Sequence, residues 1–339
     1  MPANDRTVPV DVIGIGNAIV DVLARADDAF LAAHGLAKGA MTLIDAAQAH
    51  ALYAAMGPGT EKSGGSAANT IAGLASFGGT ASFVGKVRDD QLGRIFAHDI
   101  GALGVQFATP MAAPGGEPAT ARCLVLVTPD AQRTMCTFLG VSVDLGPGDI
   151  REEDVAAAQV TYLEGYLWDP QEAKAAMRKA VSAAKAAGRR VAFTLSDAFC
   201  VDRHRAEFLD LIASDVDVLF ANEAEIKSLY QVDTFDAALQ KVRGHAEIVA
   251  LTRSEKGSVV LSGDEVHVID AAPVRQVVDT TGAGDLYAAG FLYGLTHGAG
   301  LADCGRLGSV AAAEVIQHIG ARPETSLADL ARAQGLIAR

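Results

Sequence analysis

The stretch Val278-Asp279-Thr280-Thr281-Gly282-Ala283-Gly284-Asp285 decides how this chain is read. A β-branched run ends in three small residues and a carboxylate, and Leu286-Tyr-Ala-Ala-Gly-Phe-Leu-Tyr-Gly-Leu295 continues as an apolar helical pattern. Small residues at a helix start leave backbone N–H groups uncovered at the positive end of the helix dipole. Such a turn is an anion site, and phosphate is its commonest guest. A carboxylate that was only structural would repel the anion beside it. It makes sense if a hydroxyl must lose its proton next to a phosphoryl group. The same residues also read as a glycine-rich strand-to-helix turn with Asp285 as a helix cap.

Outward from this turn, short apolar runs alternate with helical patterns. Strands are expected at Val10–Gly14, Thr80–Val87, Val160–Leu163, Arg190–Leu195, Val216–Ala221, Glu247–Thr252 and Ser258–Leu261. Helices are expected at Ala46–Met56, Ser66–Phe77, Gln91–Leu103, Gln171–Ala187, Arg203–Ala213, Glu223–Tyr230, Gly284–Leu295 and Ala302–Ile316. This rhythm implies βαβ crossovers and a mostly parallel sheet covered on both faces, an α/β fold. Two regions depart from it. Val20–Ala26 with Ala40–Ile44, and Thr120–Val127 with Arg133–Leu139 around the turn Thr128–Gln132, read as antiparallel strands with no long helix between them. The expectation is a single domain over residues 1–339, with a small sheet built from segments near 18–45 and 105–140. Such an appendage reads either as a lid that excludes water from a site or as an edge and dimerisation surface.

The 339 residues carry a formal charge of −13, with 50% hydrophobic and 20% charged residues. That is ample for a full core. The acidity argues against nucleic acid and anionic membrane as partners. Met1–Thr7 lacks the apolar core of a signal peptide, and no apolar run approaches the ~20 residues of a spanning helix. Cys123, Cys136, Cys200 and Cys304 are scattered without ligand spacing, which argues against a zinc site or disulfide framework. A cytoplasmic location is expected.

Gly14-Ile15-Gly16 follows a strand, but Ile19 stands where a dinucleotide fingerprint needs its third glycine. Gly78-Gly79 with Gly85-Lys86 fails the P-loop spacing, and Val87 replaces the required hydroxyl residue. His34, His50 and His98 sit on helical faces and give no support to histidine catalysis. A stronger cluster is Ser63-Gly64-Gly65-Ser66-Ala67-Ala68-Asn69: the glycines allow close backbone approach to a ligand, and Asn69 offers both a donor and an acceptor. Asn17 and Asp21 form a further polar pair. A carboxylate plus an amide suits a vicinal diol, whose hydroxyls both donate and accept; an Asx turn with a surface aspartate is the plainer reading.

Taken together, these segments resemble the ribokinase-like (PfkB) family of carbohydrate and nucleoside kinases, in the family's motif order from Gly14 to about Pro323. Gly14-x-Gly16-Asn17-x3-Asp21 and Gly64-Gly65-x3-Asn69 match its substrate-side signatures, and Asn222-Glu223-Ala224-Glu225 matches its N-x-x-E motif. Thr252-Arg253-Ser254-Glu255-Lys256-Gly257 sits where the family has a nucleotide-binding turn, with Ser254 replacing the usual glycine. Asp279–Asp285 matches the anion hole and catalytic base. Within the family, Gly14–Asp21, Leu195–Phe199, Val216–Glu223 and Arg133 look most like the adenosine kinases.

The resemblance implies a three-layer αβα fold with a small β-sheet lid, and transfer of a phosphoryl group from ATP to the 5′-hydroxyl of a purine nucleoside. Asp285 would be the base, and Gly282, Ala283 and Gly284 would supply amides to the phosphoryl oxygens. Arg133 would reach the transferring phosphate. Asn17, Asp21, Gly64, Gly65 and Asn69 would hold the ribose, and Tyr166, Leu167 and Phe199 would form a purine slot. Asn222, Glu225, Thr252, Ser254 and Gly257 would lie along ATP, with Glu225 holding Mg²⁺ through water. Asp279, Thr281 and a carbonyl near Gly320 would hold a monovalent cation such as K⁺. A sugar kinase of the same fold, of ribokinase or fructokinase type, and a nucleoside-binding sensor without activity are the alternatives. A monomer and a homodimer both fit.

Overall fold

The computed structural model describes residues 9–130 and 132–338, so the expectations for Met1–Thr7 and for Ala131 in the turn Thr128–Gln132 lie outside the described residues. In chain order the elements are β1 Val12–Ile15, β2 Ile19–Arg25, α1 Asp28–Ala33, β3 Met41–Leu43, α2 Ala46–Ala55, β4 Gly59–Gly64, α3 Ser66–Ser76, β5 Ala81–Val84 and α4 Gln91–Ala102. Then come β6 Ala121–Val127, β7 Arg133–Phe138, α5 Glu152–Ala157, β8 Val160–Glu164, α6 Gln171–Ala186, β9 Arg190–Thr194, α7 Ala198–Ser214, β10 Val218–Asn222 and α8 Glu223–Tyr230. The chain closes with α9 Phe235–Val242, β11 Ile248–Thr252, β12 Ser258–Ser262, β13 Glu265–Ile269, α10 Ala283–Thr296, α11 Leu301–Val315 and α12 Leu327–Ala333.

Eight strands form the main sheet in the order β13-β12-β11-β10-β9-β8-β1-β5. From β5 to β11 all pairings are parallel, and β12 and β13 add an antiparallel edge. The apolar strand runs have a direct cause. Side chains alternate across a strand, and both faces are covered by helices. On β10, Leu219 and Ala221 enter one core with α6 and α7, whereas Val218 and Phe220 enter the other with α3 and α10. β11 repeats the pattern with Val249 and Leu251 against Ile248 and Ala250. Among the described residues no helix is long and apolar enough to cross a membrane.

The second sheet has the order β3-β7-β6-β2-β4. It was expected to be antiparallel but is mixed, because β2 pairs with β6 and β3 with β7 in parallel. β4, of sequence Gly-Thr-Glu-Lys-Ser-Gly, has no strand signature of its own. It becomes a strand by pairing antiparallel with β2, a case of tertiary context deciding β structure. Val22, Leu124, Leu126 and Cys136 pack one face of this sheet on α1 and α2. β13, α9 and α12 were likewise not anticipated. Helix α7 starts at Ala198 rather than Arg203: the Asp197 carboxylate accepts from Cys200 N at 2.6 Å as its N-cap, and a kink at His204 (φ −119°) hides the continuity of the pattern.

Helix α10 is held against α11 by backbone contact. A Cβ on Gly290 would stand 2.4 Å from the Leu307 carbonyl oxygen, and one on Gly308 would stand 2.7 Å from the Tyr287 carbonyl oxygen. Gly290→Ala therefore forces the helices apart and should destabilise the protein by about 1–3 kcal/mol, measured by urea unfolding. An unchanged midpoint would show that the crossing yields more easily than its geometry indicates.

Candidate active site

The parallel strands of the main sheet end at a cavity of about 630 Å³ that the small sheet faces from the other side. Ligand sites in open α/β sheets lie in this position, outside the carboxyl ends of the strands. β1 leads to Asn17, β8 ends in Glu164, β9 leads to Ser196 and Asp197, and β10 ends in Asn222. Asp21, Cys123, Val125, Met135 and Thr137 line the cavity from the face of the small sheet opposite α1 and α2.

Asp285 lies in the first turn of α10. No side chain caps this helix, whose N-cap is Gly282 in the left-handed region at φ 78°. Asp285 was open to reading as a cap, and Gly282 takes that place instead. Of the small residues in the turn, Ala283 uses its N–H on the Thr280 carbonyl at 3.3 Å. Gly282, Ala283 and Gly284 all line the cavity. The Asp285 carboxylate is held at both oxygens from α3: Ser66 Oγ donates to Oδ1 at 2.6 Å, and Asn69 Nδ2 donates to Oδ2 at 3.1 Å. Burial raises its pKa to about 6, and these two bonds restrain the rise.

Asp21 also rises to about 6, through burial and the nearby Asp285, while Arg322 and Arg133 pull it down. Among the described residues no protein donor bonds its carboxylate. Gly64 makes room for it, since a Cβ there would stand 2.4 Å from Asp21 Oδ2. The glycines thus serve close contact within the protein: Gly64 admits Asp21, and a Cβ on Gly65 would meet the Asn17 carbonyl oxygen at 2.2 Å. Gly65 lines the cavity wall and Gly64 lies behind it.

Glu164 was not anticipated. It is fully buried and accepts from Asn17 N, Asn17 Nδ2 and Ala67 N at 2.7–2.8 Å. Burial still pushes its pKa up to about 7. Asn17, which also accepts from Ser142 Oγ at 2.9 Å, is thereby held to the protein by both ends of its amide. A carboxylate closing a strand at the sheet's carboxyl end was the available signal for Glu164. Ser66 stood inside the quoted glycine cluster at the expected helix start, but its bond to Asp285 joins residues 219 positions apart.

The Asn222–Glu225 motif is a reciprocal helix cap. Asn222 Oδ1 accepts from Glu225 N at 2.9 Å, while Glu225 accepts from Asn222 N at 2.9 Å and from its Nδ2. Both residues reach the cavity, and burial raises Glu225 to about 7. Among the described residues no group of three acidic, histidine or cysteine side chains could hold a metal by itself.

Asp279, Thr281 and Gly320 do come together, though the bonds differ from those expected. Asp279 Oδ1 accepts from Thr281 N at 3.0 Å and Oδ2 from Gly320 N at 2.8 Å. The cation on this carboxylate is the guanidinium of Arg133, reaching over from β7 to Asp279 and Thr281.

Tyr166 and Phe199 line the cavity, Phe199 with 77% of its surface exposed. Leu167 does not. It is fully buried in the core with Trp168 and Phe193, because the short 3-10 turn Gly165–Trp168 points successive side chains in different directions. Ser196, held at φ 73° in the left-handed region, forms the wall beside Tyr166, whose hydroxyl donates to its carbonyl at 3.2 Å. Strained residues of this kind gather at functional sites. Thr252 lines the cavity, while Ser254 and Gly257 sit beyond it in the turn between β11 and β12. Ser254 adopts φ 52°, the left-handed conformation a glycine would take without strain.

Residues 39–327 match the model of the pfkB family carbohydrate kinases, so the chain belongs to that family. Its kinases phosphorylate sugars or nucleosides, with an alcohol as phosphoryl acceptor. A probable sugar kinase from Rhizobium etli is 52% identical with a TM-score of 0.91, over 97% of this chain and 99% of that one. The adenosine kinase from Sinorhizobium meliloti is 54% identical with a TM-score of 0.90, over 96% of this chain and 100% of that one. A 5-dehydro-2-deoxygluconokinase from Geobacillus thermodenitrificans is 27% identical over 76% of this chain and 79% of its own length.

The placement of Leu167 separates packing from binding. Leu167→Ala should cost about 2–5 kcal/mol of stability in thermal unfolding while leaving acceptor KM within a factor of about two; a large rise in KM with unchanged stability would return Leu167 to the cavity wall. Relief at the other outlier should be visible too: Ser254→Gly should stabilise by about 0.5–1 kcal/mol, read as a raised melting temperature.

Proposed function

We propose that this protein phosphorylates the 5′-hydroxyl of adenosine with ATP, forming AMP, and that Asp285 is the general base. The observation that carries this reading is the Asp285 carboxylate, gripped by Ser66 and Asn69 at the uncapped start of α10. Asp21, whose carboxylate has no protein donor among the described residues, would accept from the ribose hydroxyls while the Asn69 amide and the Gly65 backbone fix their direction. The 5′-oxygen would then face Asp285, which takes its proton as the oxygen attacks the γ-phosphate in line. First-turn N–H groups of α10 would offset charge on the phosphoryl oxygens, a contribution of several kcal/mol. Arg133, lodged beside Thr281, would reach the transferring phosphate.

When bound, magnesium would supply positive charge to offset that of the phosphates. Glu225 suits it as a partner through water, since both carboxylate oxygens already accept from Asn222; a magnesium ion that keeps most of its waters needs few protein ligands. The choice of adenosine is supported by the exposed Phe199 ring and the half-buried Tyr166 ring along the cavity and by the identity to the Sinorhizobium enzyme. A sugar acceptor is the second reading. It is supported by the names of the Rhizobium and Geobacillus relatives.

An ADP-release assay with adenosine, ribose, fructose and other free sugars separates the two. Adenosine should give the highest kcat/KM; preference for a free sugar would replace it. Asp285→Asn should lower kcat by about 10³-fold or more with ATP binding kept, and near-full turnover would remove Asp285 from its role. Asp285 must be ionised to act. With its pKa raised to about 6, the rate should be full above that value and fall as pH drops through it. A profile flat down to pH 5 would contradict the assignment. We further propose that the small sheet closes over bound nucleoside. Hydrogen exchange across residues 120–139 should slow on adding adenosine, and no protection would favour a static wall.

A further inference from the structure

Arg322 follows the Gly320–Ala321 turn, and no feature of the sequence drew attention to it. Its side chain is half-buried, and desolvation lowers its pKa to about 10 despite the charges of Asp21 and Asp99. Among the described residues its one side-chain hydrogen bond runs from Nε to Asn69 Oδ1 at 3.3 Å, no carboxylate stands within ion-pair distance, and Nη2 is buried without an acceptor. Taking guanidinium N–H groups out of water is costly unless an ion pair and hydrogen bonds offset it. Here the offset is small, so packing gives no reason for an arginine at this position.

The bond to Asn69 supplies one. A carboxamide has nearly the same shape after a half-turn, so neighbours must decide which end faces which way. Arg322 can only donate, and the Asp285 carboxylate can only accept. Asn69 sits between them with Oδ1 toward the guanidinium and Nδ2 toward Asp285 Oδ2 at 3.1 Å. The flipped amide would set oxygen against carboxylate and N–H₂ against guanidinium, unfavourable at both ends. We propose that Arg322 is a positioning residue for phosphoryl transfer: it fixes the Asn69 amide so that this amide holds Asp285 in place. The proposal rests on the reading of Asp285 as base.

A double-mutant cycle tests it, run with ATP and whichever acceptor, adenosine or a free sugar, the wild-type enzyme turns over fastest. Asn69→Ala and Arg322→Met should each lower kcat by about 10–100-fold, and the double variant should fall no more than about twofold below the worse single, because the second change removes a contact already lost. Effects that multiply, or an Arg322→Met kcat within about threefold of wild type, would overturn the proposal. A merely structural arginine would give the multiplying result. If Arg322→Met does not fold, as judged by thermal unfolding, Arg322→Gln enters the same cycle under the same criteria. Asp285→Asn is measured beside them. An active Asp285→Asn enzyme takes down the base assignment and this proposal with it. An inactive one with a multiplicative cycle sinks Arg322 alone.

Discussion

A carboxylate removed from water at the start of a helix is stable only if other elements hold it, and α3 does so here. Ser66 and Asn69 lie three residues apart, hence on one face of α3, and each takes one oxygen of Asp285. The geometry requires α3 and α10 to approach closely, which their small residues permit. A Cβ on Gly73 would stand 2.6 Å from a Leu286 methyl and 2.7 Å from the Ala289 Cβ. α10 in turn rests on α11 through Gly290 and Gly308. The glycines of the three helices therefore set the position of a side chain that none of them touches.

Among the acidic groups that line the cavity, burial raises four: Asp21 and Asp285 to about 6, Glu164 and Glu225 to about 7. Their hydrogen bonds divide them into two kinds. Glu164 and Glu225 are committed to backbone and amide donors of Asn17, Ala67 and Asn222, so they shape the wall. Asp21 has no such partner, and Asp285 has two that orient it without enclosing it. Groups left to meet a substrate are those whose acceptor capacity the protein does not fill. In a chain of formal charge −13, an anionic phosphate donor could approach these carboxyls only where positive ends offset them. The start of α10 and Arg133 line the cavity beside Asp285, and Arg322 lowers the pKa of Asp21.

Legibility followed the range of the interactions. The parallel sheet was readable because strands buried on both faces must be apolar at every position, a local signal. The turn 279–285 was readable because small residues and a carboxylate at a helix start have few uses. β4 was not, since its strand character comes from β2 and not from Gly-Thr-Glu-Lys-Ser-Gly itself. Leu167 was misplaced because one residue of rotation in a 3-10 turn separates the cavity from the core. Glu164 and Arg322 act on residues 97 to 253 positions away in the chain, and no spacing rule reaches that far. Matching motifs located the side chains that face the cavity, while those that orient them appeared only with the fold.

The small sheet shows the same division within one element. Its β2 residues Val22 and Asp21 are neighbours in sequence and point to opposite sides, one into the core with α1 and α2, the other into the cavity. Alternation along a strand allows an apolar anchor and a cavity-facing carboxylate to sit in adjacent positions. A register shift of one residue would bury Asp21 against Leu124 and Leu126 and expose Val22 to the ligand space. Pairing on both sides, with β6 in parallel and β4 antiparallel, opposes that shift. The unremarkable strand β4 thus helps to define the site: it holds β2 in register, and through Gly64 it leaves the space into which the Asp21 carboxylate fits.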